Sequence, residues 1–262
     1  MKLSVLASGS SGNAIYIENN ESKFLVDAGL TGKKTEELLK IIGRSPKDLT
    51  GIFISHEHRD HVSGAGILAR KYKIPIYANA KTWEGMNKIV GEIPTELKFE
   101  FPTGTIQTFG GLDIESFGVS HDSREAMFFV FHQDGKKVSL ITDTGYVSDR
   151  MKGVISNSDT FVFECNHDVN MLRMGGYPWN LQQRILSDRG HVSNSDAAYA
   201  MSEAIGDNTK RIYMAHLSRE NNYKELARMT VEQILKQQNC SVGQQFFLYD
   251  TDPDKPTELV EV

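Results

Sequence analysis

Cysteine is nearly absent. Cys165 and Cys240 are the whole complement of a 262-residue chain, and no C-x-x-C pair is present. That excludes a disulfide scaffold and a structural zinc site built on thiolates, and it fits a reducing, cytoplasmic setting. No long apolar run is present either, so no membrane-spanning helix is expected. Met1 to Ser8 has too short an apolar core for a secretory signal. It runs straight into Gly9-Ser10-Ser11-Gly12, the pattern of a strand entering a tight loop. Basic charge is not in excess: the formal net charge of −5 argues against a general polyanion binder but leaves room for a local basic groove. Low-complexity linkers and repeats are missing. With 39% hydrophobic residues, the chain is expected to form a single domain over residues 1–262, or two intimately packed halves, around a sizeable core.

Histidine, by contrast, is concentrated. Ile54-Ser55-His56-Glu57-His58-Arg59-Asp60-His61 places three imidazoles and a carboxylate directly after an apolar run. An H-x-H-x-D-H pattern arises by chance in about 4 of 10,000 chains of this length and composition, so the segment reads as a metal site. Thr50 to Ile54 reads as a short buried strand. Residues two apart on an extended backbone project to one side, so His56 and His58 are placed to grip one ion. Asp60 and His61 fall in the turn entering a helix, with Ser63 as its N-cap and Pro75 beyond its end, and point to a second ion. Imidazole with carboxylate suits zinc, manganese or iron.

The rest of the chain alternates strands and helices. Strands are expected at Lys2 to Ala7, Asn13 to Glu18, Lys23 to Asp27, Pro75 to Ala78, Thr105 to Phe109, Leu112 to Gly118, Ala126 to His132, Val138 to Thr142, Phe161 to Glu164 and Arg211 to Ala215. Helices are expected at Thr35 to Ile42, after Ser63, at Ser195 to Ile205 and at Glu225 to Gln237, with a long irregular stretch before Ser195. Two sheets with helices outside account for this order, an α/β fold. His121, Asp143 and His216 each follow a strand, where side chains from distant parts of a chain converge on one sheet edge, and they are candidate ligands.

With Phe24-Leu25-Val26-Asp27-Ala28-Gly29 added to these residues, the chain resembles the metallo-β-lactamase fold superfamily of metallohydrolases over nearly its full length. The resemblance implies an αββα sandwich of two mixed sheets flanked by helices. It also implies two divalent ions: His56, His58 and His121 hold one, Asp60, His61 and His216 the other, and Asp143 bridges them. Asp27 orients a ligand histidine. Phe163 to His167, Arg189 to Ser193 and Ala215 to Ser218 resemble three ordered segments of tRNase Z-like phosphodiesterases, where the position of His191 meets the scissile phosphate. Ala7 to Asn13, His56 to His61 and His216 to Asn222 in combination are most similar to a bacterial family of DNA exonucleases. That likeness implies 5′-to-3′ degradation of DNA, a link to DNA repair and a possible repair-protein partner.

The expected chemistry is phosphodiester hydrolysis. Paired cations acidify a shared water, Asp60 accepts or orients its proton, and His191 contacts the phosphate or protonates the leaving oxygen. Glu164 and His167 are provisional partners of His191 or of substrate, and Ser193 lies in the same segments. Ser8, Ser11 and Asn13 offer amide or hydroxyl donors to a phosphate. The span from Asp143 to His216 is too short for the large cap domain of related nucleases, and no long Gly/Pro-rich arm for tRNA is present. Substrate contact therefore falls to surface loops. Asn170 to Asp188 is the candidate, with Arg173 and Arg184 for phosphates and Tyr177 and Trp179 for bases, unless those aromatics cover the core. The alternatives are a small-molecule, for instance cyclic, phosphodiesterase, an RNA-processing nuclease, and a non-catalytic binding module on the same fold.

Overall fold

In the computed structural model, which describes all 262 residues, the short apolar runs become the strands of two seven-stranded mixed sheets. The strands are β1 Lys2–Ala7, β2 Ala14–Glu18, β3 Lys23–Val26, β4 Gly51–Phe53, β5 Ile76–Ala78, β6 Lys98–Glu100, β7 Ile106–Phe109, β8 Leu112–Gly118, β9 Met127–Gln133, β10 Lys136–Ile141, β11 Thr160–Glu164, β12 Arg211–Ala215, β13 Phe247–Asp250 and β14 Val260–Glu261. One sheet runs β14-β1-β2-β3-β4-β5-β6 and the other β13-β12-β11-β10-β9-β8-β7. The helices are α1 Gly32–Ile41, α2 Arg59–Val62, α3 Ala65–Tyr72, α4 Ala80–Val90, α5 Asp149–Ile155, α6 Val169–Met174, α7 Trp179–Ile185, α8 Asn194–Ala204 and α9 Lys224–Gln237. None is long and apolar enough to cross a membrane. Two compact units are distinguished, one of residues 1–118, 123–129 and 251–262, the other of 119–122 and 130–250.

In the first unit, β1 to β3 pair antiparallel through tight turns, whereas β3, β4, β5 and β6 run parallel, with Val26 opposite Phe53 and Ile52 opposite Ile76. Parallel pairing needs crossovers, and α1, α3 and α4 supply them. All four strands therefore end at one edge, where Asp27 follows β3 directly and Ser55-His56 follow β4 after Ile54. Phe53, the last residue of β4, is fully buried and sits at the hub of an aromatic cluster. Its ring centroid lies 5.1 Å from Phe24, 4.9 Å from Tyr77, 5.3 Å from Phe101 and 5.6 Å from Phe129. Packing of this density leaves little play in the strand that delivers the histidines.

At the far end of β2, Glu18 is 5% exposed and accepts hydrogen bonds from Tyr16 Oη at 2.6 Å and from Arg44 Nε at 2.7 Å and Nη2 at 2.5 Å. Burial pushes this carboxyl up, but the bonds and charge of Arg44 and the Tyr16 hydroxyl outweigh it, so its pKa lies below the ordinary value. A depressed carboxylate contributes stability above the unfolded pKa of about 4.3 and loses it as pH falls through the folded value. Glu18→Gln is therefore expected to lose about 2 kcal/mol at pH 7, the scale of a charge-assisted hydrogen bond partly screened at Arg44. Urea denaturation of both proteins should show the gap closing below about pH 4.

The second unit repeats the device. β10, β11, β12 and β13 run parallel, with Ile141 opposite Phe163 and Glu164 opposite Ala215. α5, α8 and α9 make the crossovers, and α8 packs on α9. β9 and β10 form a hairpin whose two turn residues, Asp134 and Gly135, both have positive φ, as a type I′ turn requires. The chain is thus an α/β protein of two mixed sheets with flanking helices.

Several expected details differ. Ser63 closes α2 as its C-cap rather than opening a helix, and Gly64 precedes α3. Asp60 and His61 consequently sit on a helical turn. The stretch expected to be irregular before Ser195 contains α6 and α7, separated by Gly175, Gly176 and Pro178. α4 was also not expected. Its interior Gly85 weakens the helical pattern, and it is small because a methyl there would lie 2.5 Å from the Glu57 side chain.

Candidate metal centre

In the first unit two of the three motif histidines are held by one carboxylate. Asp27, buried just past β3, accepts from Ser55 N at 2.8 Å, from Ser55 Oγ at 2.8 Å and from His61 Nδ1 at 2.8 Å. With its proton committed to Asp27, Ser55 Oγ meets His56 Nδ1 at 2.9 Å as an acceptor. Asp27 thereby fixes His61 directly, and His56 through Ser55, as Nδ1–H tautomers whose Nε2 carries the lone pair. His56 Nε2 stands 3.0 Å from His58 Nδ1, a spacing that needs a shared proton or a cation. Asn13 Nδ2 lies 3.1 Å from His61 Nε2 and 3.4 Å from Asp60 Oδ2. Its backbone N donates to Asp60 O at 2.8 Å. Gly29 completes this support: a methyl on it would fall 1.6 Å from Asp60 O, so only glycine lets the Asp27-Ala28-Gly29 turn close on the helix bearing Asp60 and His61.

In the second unit Glu164 plays the part of Asp27. It is 0% exposed, accepts from His191 Nδ1 at 2.7 Å and His216 Nδ1 at 2.8 Å on one oxygen, and from Thr144 N at 3.0 Å on the other. Burial alone would raise its pKa, but the two imidazoles hold it well below the carboxylate range. Burial also disfavours a charged His191, yet the Glu164 charge and hydrogen bond outweigh that and raise its pKa. His121 is held at Nδ1 by Gly190 O at 3.2 Å, and burial lowers its pKa, which keeps it neutral as a ligand must be. Asp143 Oδ1 lies 3.4 Å from His216 Nδ1 and 4.0 Å from His121 Nε2. Asp143, Glu164, His191 and His216 present donor atoms all within 4.8 Å of one another.

Backbone strain accompanies these positions. Asp27, Asp143 and His216 have φ of 60°, 57° and 54°, each just beyond a strand. A left-handed conformation costs a non-glycine residue about 1–2 kcal/mol. The chain bears it where a side chain must be turned off the sheet edge. Asn166 braces the last of them, donating from Nδ2 to His216 O at 2.9 Å.

The remaining candidates are placed differently. Ser8 is buried and its backbone N donates to Asp252 O at 3.1 Å, while Ser11 is exposed in its loop. Asn13 serves Asp60 and His61. Ser193 is the N-cap of α8, accepting from Asp196 N at 3.1 Å. His167 is buried, with its pKa pushed down to about 4 by burial, so it is neutral. Arg173 is exposed, and Arg184 is ion-paired with Asp122, the neighbour of His121. Ser55 and Asp122 are functional neighbours that sequence reasoning missed. Nothing in their residue type marks them, although Ser55 stands inside the histidine motif.

Divalent cations fit this donor set. In each unit a buried carboxylate takes the Nδ1 proton of an imidazole and leaves the other nitrogen to donate a lone pair, the arrangement that supports metal-bound histidine.

The metallo-β-lactamase superfamily model matches residues 7–216. The chain is 57% identical over 259 residues to exodeoxyribonuclease YycJ of Bacillus anthracis, covering 99% of this chain and 98% of that protein. It is 54% identical over 263 residues to exodeoxyribonuclease WalJ of Streptococcus pneumoniae, covering 100% and 98%. Among solved structures, the metallo-β-lactamase fold protein YhfI of Bacillus subtilis matches with TM-score 0.73 at 18% identity over 98% of both chains. The short form of human tRNase Z matches with TM-score 0.66 at 17% identity over 100% of both.

Proposed function

The chain belongs to the metallo-β-lactamase superfamily, and from that premise we propose that it is a metal-dependent exonuclease that degrades DNA from the 5′ end. The observation that carries the reading is the pair of buried carboxylate–imidazole supports, Asp27–His61 and Glu164–His216. The identity to two exodeoxyribonucleases over nearly the full length supports DNA as the substrate.

Two divalent ions, zinc, manganese or iron, are held in this reading by His56, His58, Asp60, His61, His121, Asp143 and His216. When bound, they supply Lewis acidity to the phosphoryl group and make water nucleophilic at neutral pH. The protein's own groups then handle protons. Asp60, whose carboxylate is only partly buried, accepts the proton of the attacking water. His191, gripped at Nδ1 by Glu164, turns Nε2 to the substrate and gives a proton to the leaving oxygen. The Glu164 carboxylate at Nδ1 favours the protonated ring.

Metal removal tests the reading. Protein stripped by chelator is expected to release no nucleotides from DNA and to unfold at a lower temperature, because an ion that binds only the native state stabilises it. Manganese or zinc should restore both. DNA degradation that survives complete chelation, verified by elemental analysis, would refute a metal-dependent nuclease.

A further inference from the structure

The connection between α6 and α7 exposes apolar surface without an intramolecular use. Trp179, the first residue of α7, is 72% exposed, and Met174, the last of α6, is 88% exposed. Tryptophan is highly buried on average, and the other tryptophan of the chain, Trp83, is partly buried.

The segment is nevertheless rigidly anchored. Leu172 is fully buried, and Gln182 is buried with Nε2 donating to Tyr177 O at 2.9 Å. At the far end of α7, Ile185 O accepts from His191 N at 3.0 Å, and a methyl on Gly190 would fall 2.1 Å from the same oxygen. The end of α7 is therefore clamped to the loop that presents His191. At 1.5 Å per residue, Trp179 stands roughly 9 Å along the helix from that clamp. Trp179 and the His191 loop are thus joined by one short, anchored helix.

Charge in the segment matches a polyanion. Arg173, Arg184 and Arg189 are exposed there beside a single acidic residue, Asp188, in a chain whose net charge is −5. Arg184 pairs with Asp122 next to His121, so one of these guanidinium groups lies beside a proposed metal ligand.

We propose that Trp179 is a stacking platform for a base of the DNA strand being degraded, with the arginines of the α6–α7 segment flanking it on the backbone. The proposal rests on the exonuclease reading. An indole stacks on any base, which suits an enzyme that must accept every sequence, and such contacts are worth about 1–3 kcal/mol per base.

The test compares wild type, Trp179→Ala and Trp179→Phe, all full-length, metal-loaded and matched for melting temperature and metal content. A 5′-phosphorylated single-stranded oligonucleotide is the probe. Trp179→Ala is expected to raise KM and the oligonucleotide Kd about tenfold or more, with Trp179→Phe close to wild type. In a Trp83→Phe background, the remaining indole should be quenched as oligonucleotide binds. Unchanged Kd and KM in Trp179→Ala, or indole fluorescence that ignores the oligonucleotide, would overturn the proposal while wild type still degrades DNA. A wild type that neither binds nor degrades the oligonucleotide, yet hydrolyses bis(p-nitrophenyl) phosphate, would overturn the exonuclease reading and the platform with it.

Discussion

Asp143→Asn is expected to lower DNA degradation by about 10³-fold, the upper range for removing one preorganised electrostatic element, with the fold intact. The substitution keeps size and shape and removes only the negative charge. Asparagine is also the right probe for the backbone, because φ at this position is 57° and asparagine tolerates the left-handed region where alanine does not. Asp143 Oδ1 lies 3.4 Å from His216 Nδ1, so the variant also removes an anion beside a proposed ligand. Bound metal should fall in the same preparation. Compared in the metal-free state, the two proteins should differ in stability by no more than about 1 kcal/mol, since no large side chain is lost. A variant with full metal content and full activity would remove Asp143 from the site.

The second large effect is at Glu164. Its two oxygens accept from three donors, Thr144 N, His191 Nδ1 and His216 Nδ1. In Glu164→Gln the amide nitrogen must face either the Thr144 N–H or the imidazoles. The first choice sets donor against donor in a fully buried place, at a cost of about 1–3 kcal/mol. The second reverses the tautomers, so that His216 carries its proton on Nε2, where a ligand needs a lone pair. Either way metal affinity is expected to fall by about 10- to 100-fold, as when the outer partner of a ligand histidine is removed. Titration of the apo variant with zinc, followed by elemental analysis, reads this directly. Activity should remain low when metal is saturating, because the negative charge that favours a protonated His191 is gone, whereas a merely structural role would be rescued by metal.

How much of this was legible beforehand depended on distance along the chain. The motif from His56 to His61 is dense enough to read alone, and the strand-end aspartate and histidines were visible as ligand types after apolar runs. The α/β fold of two mixed sheets follows from the order of those runs and is borne out by the family match. Glu164 was harder. Its grip on His191 and His216 depends on a parallel register that sets Glu164 opposite Ala215, and no local pattern encodes that pairing. The same holds for Ser55, whose role exists only because Asp27 arrives from the neighbouring strand. α6 and α7 are 6 and 7 residues long, too short for a helical period to show, and Gly175, Gly176 and Pro178 between them read as loop. Whether Trp179 covers the core or faces solvent was open in the sequence, and its 72% exposure decides for solvent.

The most direct test of the account is the polarity of degradation. Duplex DNA carrying a 5′ phosphate, labelled at either the 5′ or the 3′ end, is incubated with manganese- or zinc-loaded protein beside Asp143→Asn. Stepwise release of labelled nucleotide from the 5′ end, with the 3′ label retained until late and both lost in the variant, is the result the account predicts. First release from the 3′ end, or intact DNA from a preparation that hydrolyses a small phosphodiester, would contradict it.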